Sequence, residues 1–511
     1  MSTPRFLYFI GIGGIGMSGL ARYYRRRGSN VAGYDRTPSE LIGQLRMEGI
    51  ETQFDENPAL IPADFREAPA ADVLVVRTPA VPVSSPLLTY WQQRGARILK
   101  RSEVLGMITR DRRTMAVAGT HGKTTVSTLL AHLLTDGGIP CNAFLGGISA
   151  SYGTNVLLND KAAINVVEAD EYDRSFLRLS PTESIITAMD PDHLDIYGTP
   201  EAMFAAYREF AGLCSGGILA HARVGSHLDG IAGVTTYALS GDAPVRGENV
   251  RVVDGAYRFD LVAEGHTLRD LSLGMPGRHN VENAVAASAL ALRAGVSPER
   301  LRKGLASFRG VSRRFEVRAH SAYGVLIDDY AHHPAELEAC IRSARELYPG
   351  RRITGIFQPH LFTRTRDLAE GFGAALALLD ELILLEIYPA REEPIPGITS
   401  AWLLERVRES SVENDDNLGV ALRAAVFVAA DGGDAALPGQ VLDLYKSREN
   451  LRRDLSYTLG DAIEFAPMSE PLIRQLAARG VDREYRRDPQ DKTLRERAEA
   501  RGRLGWLAER K

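Results

Sequence analysis

Residues 115–125 read Met-Ala-Val-Ala-Gly-Thr-His-Gly-Lys-Thr-Thr. Apolar Met115 to Ala118 predict a buried strand, and the residues after the loop predict a helix that runs to Leu134. A glycine-containing loop between a strand and a helix N-terminus is typical of a phosphate site, because backbone N–H groups and the helix dipole hold the anion. The residues predicted to bind nucleotide phosphates are Gly119, Thr120, His121, Gly122, Lys123, Thr124 and Thr125.

Two side chains of this loop have predicted roles of their own. Lys123 would reach the outer phosphates, and the Thr124 hydroxyl would bind Mg²⁺. The glycine pattern is abbreviated, since a general phosphate loop has glycine where Val117 stands. The alternative interpretation is a helix start that is merely rich in Gly and Thr, and the strand-loop-helix context favours the phosphate loop.

Two acidic segments follow predicted strands. Ile164 to Val167 leads into Glu168-Ala-Asp-Glu-Tyr-Asp173, and Ser184 to Thr187 leads into Asp190-Pro-Asp-His-Leu-Asp195. Open α/β sheets bind ligands just past the carboxyl ends of their strands. Carboxylates there would hold Mg²⁺ against ATP phosphates, with neutral His193 serving a second cation or a phosphate. The alternative is a pair of solvated acidic loops.

The N-terminus carries a second glycine loop. Strand Phe6 to Ile10 leads into Gly11-Ile-Gly-Gly-Ile-Gly16, a helix is predicted over Met17 to Arg27, and Asp35 ends the next strand, Val31 to Tyr34. This spacing predicts a diphosphate on a helix N-terminus and a carboxylate for ribose hydroxyls, which suits NAD, FAD or a UDP-sugar equally. The candidate residues are Gly11, Gly13, Gly14, Gly16 and Asp35.

Length and composition indicate a multidomain folded protein. The chain has 511 residues, of which 44% are hydrophobic, and its formal net charge is -4, so a nucleic-acid-binding role is disfavoured. No apolar run approaches the roughly 20 residues of a membrane helix. Strands alternate with helices, which predicts parallel α/β layers, while residues 215–274 suggest a small mixed sheet with hairpin turns at Asp254-Gly255 and Glu264-Gly265. The predicted domains are 1–110, 111–318 and 319–470, with a charged helical tail over 471–511.

Two further clusters lie at predicted element junctions, at Gly277-Arg-His-Asn-Val-Glu-Asn283 and at Asp328-Asp-Tyr-Ala-His-His-Pro334. Asn280 could simply cap its helix, and Pro334 suits a first helical turn. Six of the eleven histidines fall in such strand-end loops, and arginines lie near the same junctions, so an anionic ligand is indicated. These side chains are His121, His193, His279, His332, His333, His360, Arg313, Arg314, Arg364 and Arg366.

Eight motifs in order, GIGGIGMSG, GTHGKTT, EADEYD, MDPDHLD, PGRHNVEN, SRRFE, DDYAHHP and FQPHLFTRTRD, resemble the Mur ligase family from Phe6 to about Ser400. The resemblance implies three α/β domains: a Rossmann-like domain for the UDP-sugar, a central ATP-binding domain with a phosphate loop, and a Rossmann-like C-terminal domain. It implies ATP-dependent ligation of L-alanine to UDP-N-acetylmuramate through an acyl phosphate, with ATP and Mg²⁺ required. By the same resemblance the enzyme is cytoplasmic and acts in peptidoglycan precursor synthesis.

The resemblance also assigns residues. Lys123, His193, Glu168 and Arg314 would be catalytic, and Thr124, Glu168 and His193 would hold metal. His279, Asn280, Asn283 and Asp328 would contact ATP, while His332, His333 and Arg364 would lie on the substrate side.

Other members of the family are expected to carry a carbamylated lysine after the His193-type motif. No lysine lies between Lys161 and Lys303 in this chain, and Arg208 stands in the stretch where that lysine would be sought. A guanidinium stays protonated and offers no nucleophilic nitrogen to carbon dioxide. We therefore expect activity without a carbamate, with His193 and either Glu168 or Glu171 as the candidate ligands of the second cation.

Three alternatives remain at this point: a sister ligase that recycles a tripeptide onto the same sugar nucleotide, an NAD-dependent oxidoreductase built on Gly11 to Gly16, and a nucleotide-binding protein without catalysis. The oxidoreductase leaves the Lys123 loop and both acidic segments unexplained. The three cysteines, Cys141, Cys214 and Cys340, form no disulfide framework, which fits a reducing cytoplasm. The residue pattern is compatible with a monomer or a dimer.

Overall fold

A computed structural model of the chain describes residues 4–110, 112–320, 324–390, 392–413 and 423–426. The chain forms two compact units, Met1–Ser312 and Arg313–Lys511. The predicted tail over 471–511 lies outside the described residues. In the part of the chain that the structure describes, every helix is too short or too polar to cross a bilayer.

The first unit opens with a parallel five-stranded sheet that matches the predicted nucleotide-binding architecture. Its strands are β1 (Phe6–Ile10), β2 (Asn30–Tyr34), β3 (Glu51–Gln53), β4 (Val73–Arg77) and β5 (Arg97–Lys100), in the order β3-β2-β1-β4-β5. All five residues of β1 are buried, as expected for a strand covered on both faces. The strand order reverses direction beside β1, and the first glycine loop follows this strand, at the place where such sheets bind ligands.

Helices cover this sheet and join it to the next one. They are α1 (Ile15–Arg26), α2 (Glu40–Met47), α3 (Ala63–Glu67), α4 (Pro86–Gln93) and α5 (Arg101–Thr109). Buried Arg22 of α1 donates from Nη1 to Oδ1 of Asn155, 2.8 Å away. The Asn155 amide in turn donates to the Ile15 carbonyl, so α1 is tied to the second sheet next to the glycine loop.

The second sheet has ten strands. They are β6 (Arg113–Ala118), β7 (Cys141–Ser149), β8 (Thr154–Leu157), β9 (Ile164–Glu168), β10 (Glu183–Ile186), β11 (Ile218–His221), β12 (Val234–Ala238), β13 (Val245–Val253), β14 (Ala256–Ala263) and β15 (His266–Leu273). The order is β15-β14-β13-β12-β11-β10-β6-β9-β7-β8, with β6 between parallel neighbours β10 and β9. The accompanying helices are α6 (Lys123–Asp136), α7 (Leu194–Tyr197), α8 (Pro200–Gly212), α9 (Arg278–Arg293) and α10 (Pro298–Ser307).

The sequence predicts a small mixed sheet over 215–274, and these strands are mixed in direction, but they extend the ten-stranded sheet through the antiparallel strands β13 to β15 and do not form a sheet of their own. Both hairpin turns are confirmed. Asp254 and Gly255 have φ values of 53° and 75°, and Glu264 and Gly265 have 50° and 76°. Two consecutive residues with positive φ are what a tight two-residue hairpin requires.

The second unit, Arg313–Lys511, contains a short antiparallel pair and a parallel sheet. The pair is β16 (Glu316–His320) with β17 (Val325–Asp328), and the sheet is β18 (Thr354–Phe357), β19 (Glu381–Leu384) and β20 (Arg423–Val426) in that order. The helices are α11 (Pro334–Leu347), α12 (Phe362–Asp367), α13 (Ala369–Leu376) and α14 (Ser400–Glu413). The helix that the sequence predicts over Leu368–Leu379 corresponds to α13, and α12 is a short additional helix that ends just before it.

Candidate active site

The loop between β6 and α6 has the backbone of a phosphate site. Gly119 and Gly122 have φ values of 130° and 79°, which favour glycine, and a Cβ on Gly119 would overlap the Thr187 hydroxyl. The Thr120 N–H donates to the Ala188 carbonyl over 3.1 Å, and the Thr187 hydroxyl donates to the carbonyls of Ala118 and His121. The end of β10 therefore holds the loop in shape while α6 begins at Lys123.

Lys123 points from the start of α6 to the acidic segment after β9. Its Nζ donates to the Gly119 carbonyl, 2.7 Å away, and to Oε1 of Glu171, 2.8 Å away. Burial opposes the charged form of this lysine, but the carboxylates of Glu171, Asp170 and Glu168 outweigh burial and raise the pKa of Lys123 above its usual value. The ammonium is therefore charged at neutral pH.

Glu171 is the carboxylate of the acidic segment that pairs with Lys123. Its side chain is 1% exposed, and Oε2 has no hydrogen-bond partner within the described chain. The Tyr197 hydroxyl donates to the Glu171 carbonyl over 2.6 Å, and Nε2 of His193 lies 3.9 Å from Oε1. The sequence makes Glu171 a candidate cation ligand, as an alternative to Glu168, but it does not predict the pairing with Lys123.

Glu168 and Thr124 border two consecutive glycines of β7. A Cβ on Gly146 would overlap the Glu168 carboxylate, and a Cβ on Gly147 would lie 3.1 Å from Cγ2 of Thr124. Glycine at these two positions lets the Glu168 carboxylate and the Thr124 side chain pack against the backbone of β7. His193 has a positive φ of 53° and packs its ring edge-on to Tyr172, with 5.3 Å between centroids.

The motif at the start of α9 lies beside the phosphate loop. Oδ1 of Asn283 would be 2.8 Å from a Cβ on Gly122, and the Asn283 amide donates to Oδ1 of Asn280 over 3.2 Å. The Asn280 amide donates to the Pro276 carbonyl, so it does not cap the helix and that alternative is wrong. Gly277 occupies the cap position without a side-chain bond, and His279 follows in the first turn.

The N-terminal glycine loop is held by a carboxylate. The Gly13 N–H donates to Oδ2 of Asp35 over 2.8 Å, and the Thr37 N–H donates to Oδ1 over 3.1 Å. Asp35 therefore stabilises the conformation of the loop. The sequence also predicts that this carboxylate binds ribose hydroxyls. Gly11 has a φ of 90°, and Gly14 stands at the N-terminus of α1 with Gly16 in its first turn.

In the second unit, several predicted residues gather around the start of α11. Nδ1 of His332 and the Tyr330 carbonyl oxygen are 2.9 Å apart, and Nη1 of Arg314 lies 3.5 Å from Oε1 of Glu336. Burial lowers the pKa of His332 despite the nearby Glu336 carboxylate, so its ring is neutral at pH 7. The rings of His332 and His360 have centroids 6.5 Å apart.

Other residues of this unit have evident structural partners. Nδ1 of His333 accepts the Ala335 N–H over 3.3 Å, so His333 caps α11. Arg364 is buried, with Nη1 3.4 Å from Nδ1 of His360, and Asp328 lies 3.3 Å from the Arg318 guanidinium. Capping at His333 was not evident from the sequence, because histidine is not among the usual N-cap residues.

The fold and this site define a class of protein: a multidomain α/β nucleotide-binding enzyme with a phosphate loop in its central sheet. Three family domains match the chain, the Mur ligase family catalytic domain over 7–113, the Mur ligase middle domain over 117–291, and the Mur ligase glutamate ligase domain over 313–437. The chain belongs to the Mur ligase family.

Among named relatives, a UDP-N-acetylmuramate–L-alanine ligase of Parabacteroides distasonis is 50% identical over 405 residues, covering 78% of this chain and 87% of that protein. One from Porphyromonas gingivalis is 51% identical over 406 residues, with 78% and 89% covered. The crystal structure of UDP-N-acetylmuramate-alanine ligase from Thermotoga maritima matches with a TM-score of 0.66 and 26% identity, covering 86% of this chain and 99% of that one.

Proposed function

We propose that this chain joins L-alanine to UDP-N-acetylmuramate at the expense of ATP, in the synthesis of peptidoglycan precursors. The observation that carries the proposal is the Lys123 ammonium, held at the N-terminus of α6 beside Glu171 and the phosphate loop. Relatives at about half identity over most of their length have the same named activity. The oxidoreductase alternative gives no role to this lysine.

The reaction has two balanced steps. A carboxylate oxygen of the muramoyl group attacks the γ-phosphorus of ATP, the bond to the bridging oxygen breaks, and ADP leaves with the electron pair. The amine of L-alanine then attacks the acyl carbon and loses a proton, and inorganic phosphate leaves. The first step brings anions together, so fixed positive charge at the transferring phosphoryl group is required.

Lys123 supplies that charge, and the loop around it supplies the cradle. The N-terminus of α6 adds backbone N–H donors and a favourable dipole for the phosphates. Asn283 borders this loop, so the α9 motif lies on the ATP side. The residues assigned to ATP are Gly119, Thr120, His121, Gly122, Lys123, Thr124, Thr125, His279, Asn280, Asn283 and Asp328.

The residues around Lys123 also fit Mg²⁺. This ion usually takes one or two carboxylates and completes its shell with water and phosphate oxygens, and Glu168 with Thr124 supplies that kind of donor. The Glu168 carboxylate lies against Gly146, where any other side chain would displace it, so glycine there preserves this donor. We assign Thr124, Glu168 and His193 to the metal, which when bound neutralises charge on the phosphates.

Other predicted residues serve the two remaining substrates. Gly11, Gly13, Gly14, Gly16 and Asp35 are assigned to the UDP end of the sugar nucleotide. His332, His333 and Arg364 of the second unit are assigned to the substrate side, and Arg314 is assigned a catalytic role on the nucleotide side. We place the reaction in the cytoplasm, where ATP is available and the three free thiols stay reduced.

Phosphate release is the direct test. Purified protein is given ATP, Mg²⁺ and UDP-N-acetylmuramate with single amino acids, and with the tripeptide that a recycling ligase would use. We expect release that requires the sugar nucleotide and is fastest with L-alanine. Faster release with the tripeptide would favour the recycling ligase, and no release with any acceptor would favour a non-catalytic protein. Omission of the sugar nucleotide is the control for background ATP hydrolysis.

A further inference from the structure

Arg101 contacts the N-terminal glycine loop from outside the motif. It is the first residue of α5 and follows β5 directly. Nη1 and Cδ of Arg101 lie only 2.7 Å and 2.9 Å from the point where a Cβ on Gly16 would stand. The guanidinium therefore rests against the Gly16 backbone, and only glycine at position 16 leaves it that room.

The guanidinium has hydrogen-bonding capacity to spare. Its one bond within the described chain runs from Nη2 to Oδ2 of Asp170, over 3.3 Å, and the side chain is 24% exposed. A guanidinium has five N–H donors in a fixed fork, so most of them are available to a ligand. Asp170 holds one side of the fork while the other side faces the loop.

The negative charge of Asp35 at the N-terminal glycine loop means that binding of a diphosphate there requires a nearby cation. Oδ2 of Asp35 accepts the Gly13 N–H, so a carboxylate lies at this loop. A diphosphate brought to the N-terminus of α1 would therefore approach a carboxylate, which repels it. The Arg101 guanidinium lies against Gly16 in the first turn of α1 and can bond two phosphate oxygens at once.

We propose that Arg101 binds the diphosphate of the sugar nucleotide at Gly16, and that Asp170 orients its guanidinium for that purpose. This inference rests on the proposed function, because it takes a uridine diphosphate compound as the ligand. Arg101 is then a binding residue for one substrate, and Asp170 is a positioning residue that acts through it.

A purely structural role would be that of a tether between the first and second sheets. The neighbouring residue separates the two roles, because Nζ of Lys100 lies 2.7 Å from Oδ2 of Asp173 in the same acidic segment. The three side-chain atoms nearest to the Cβ point of Gly16 all belong to Arg101. Lys100→Gln thus removes a comparable ion pair between the same segments and leaves the glycine loop untouched.

The experiment compares the binding of UDP and UMP by calorimetry to wild type, Arg101→Gln, Arg101→Lys, Asp170→Asn and Lys100→Gln. We expect Arg101→Gln to weaken UDP binding about ten- to hundredfold, as for a lost charged hydrogen-bonding group, and to weaken UMP binding much less. Arg101→Lys keeps the charge without the fork and is expected to recover part of the loss. Asp170→Asn should fall between wild type and Arg101→Gln, and Lys100→Gln should match wild type.

Binding of a non-hydrolysable ATP analogue checks that each variant is folded. Equal losses for UDP and UMP, or equal losses in Lys100→Gln and Arg101→Gln, would overturn the inference in favour of a tether. Wild-type UDP affinity retained in Arg101→Gln would also overturn it. A wild-type protein that binds neither UDP nor UDP-N-acetylmuramate would instead overturn the proposed function, so the two failures are distinguishable.

Discussion

Lys123 and Glu171 form a buried ion pair: Nζ and Oε1 lie 2.8 Å apart, and the side chains are 13% and 1% exposed. The Gly119 carbonyl accepts a second bond from the same ammonium. In this arrangement the carboxylate and the loop carbonyl take two of the three N–H donors of the ammonium. The third donor remains for a phosphate oxygen, so the pair holds Lys123 in place for nucleotide binding.

Lys123→Ala tests the assignment of the phosphate loop. We expect product formation to fall by at least about 10²–10³-fold, since this ammonium is the fixed cation assigned to the transferring phosphoryl group. Initial rates and the affinity for UDP-N-acetylmuramate are the measurements, and the affinity should survive. Lys161→Ala, in an exposed turn, is the matched control. Near-normal turnover in Lys123→Ala would mean that the loop has another role.

Glu168→Gln tests the metal assignment. The substitution removes one charge from the oxygen set around a hydrated cation, so we expect the Mg²⁺ concentration for half-maximal rate to rise several-fold. Asp173→Asn is the control in the same acidic segment, because that carboxylate pairs with Lys100 and is not assigned to the metal. A Mg²⁺ titration of Glu168→Gln that overlays wild type would count against the assignment.

Gly122→Ala tests the shape of the loop separately from its charge. Gly122 and Gly230 have similar φ values, 79° and 82°, so alanine at either position costs about 1–2 kcal/mol of backbone strain. A Cβ on Gly122 would also press on Oδ1 of Asn283, whereas a Cβ on Gly230 meets nothing within 4 Å. We expect Gly122→Ala to weaken ATP binding about tenfold or more, as measured by calorimetry. A tenfold change corresponds to a loss of about 1.4 kcal/mol in binding free energy.

Gly230→Ala is the matched control for this strain. It should lower thermal stability by a similar amount and leave ATP affinity unchanged. Equal ATP affinities in the two variants would show that the space beside Asn283 is unimportant for binding.

Local sequence patterns predicted the glycine loops, the strands that lead into them and both two-residue hairpins. These features depend on neighbouring residues: apolar runs for strands, and Asp-Gly or Glu-Gly for turns with positive φ. The predicted strand Phe6 to Ile10 agrees with β1 at both ends. The parallel α/β organisation followed from the alternation of strands and helices.

Contacts between distant residues were not predictable in the same way. Asp35 bonds the loop 22 residues before it, and Arg101 lies against Gly16, although no local pattern indicates either contact. Among the carboxylates of EADEYD, selection of Glu171 as the partner of Lys123 depends on side-chain direction at the end of β9. Strand pairing likewise decided that β13 to β15 extend the central sheet.

Asp329→Asn tests an unusual carboxyl in the second unit. Burial raises the pKa of Asp329 to about 6, although Arg314 and the N–H groups of Phe315 and Ala331 oppose this shift. The folded pKa lies above the unfolded value of about 3.9, so the folded state binds this proton more tightly. The protonated Asp329 carboxyl therefore makes its full contribution to the free energy of unfolding below about pH 4. This contribution is lost as pH rises through about 6, which lowers the free energy of unfolding by roughly 2–3 kcal/mol.

Asparagine cannot titrate, so we expect Asp329→Asn to lose this fall in stability between pH 4 and pH 7. Urea unfolding, followed by Trp402 fluorescence with Trp91 and Trp506 replaced by Phe, reports on the second unit. The comparison is the pH slope of each protein, because the substitution also alters two backbone hydrogen bonds at every pH. Parallel slopes for wild type and variant would contradict the raised pKa.

Activity is expected to be independent of bicarbonate. No lysine lies between Lys161 and Lys303, and Arg208 occupies the helical stretch where a carbamylated lysine would be sought. Its guanidinium donates to the carbonyls of His227 and Asp229, over 2.7 Å and 3.1 Å, and cannot react with carbon dioxide. Cation binding must therefore use other ligands, with His193, Glu168 and Glu171 as the candidates.

Rates in degassed buffer, with and without added bicarbonate, are the measurement, and we expect the two to agree. Arg208→Lys sharpens the test, because it places an amine in this stretch of α8. Since the Arg208 head group is bonded to backbone carbonyls, we expect Arg208→Lys to be as insensitive to bicarbonate as wild type. A reversible loss of wild-type activity on removing carbon dioxide, restored by bicarbonate, would contradict the prediction and favour a later ligase of the pathway.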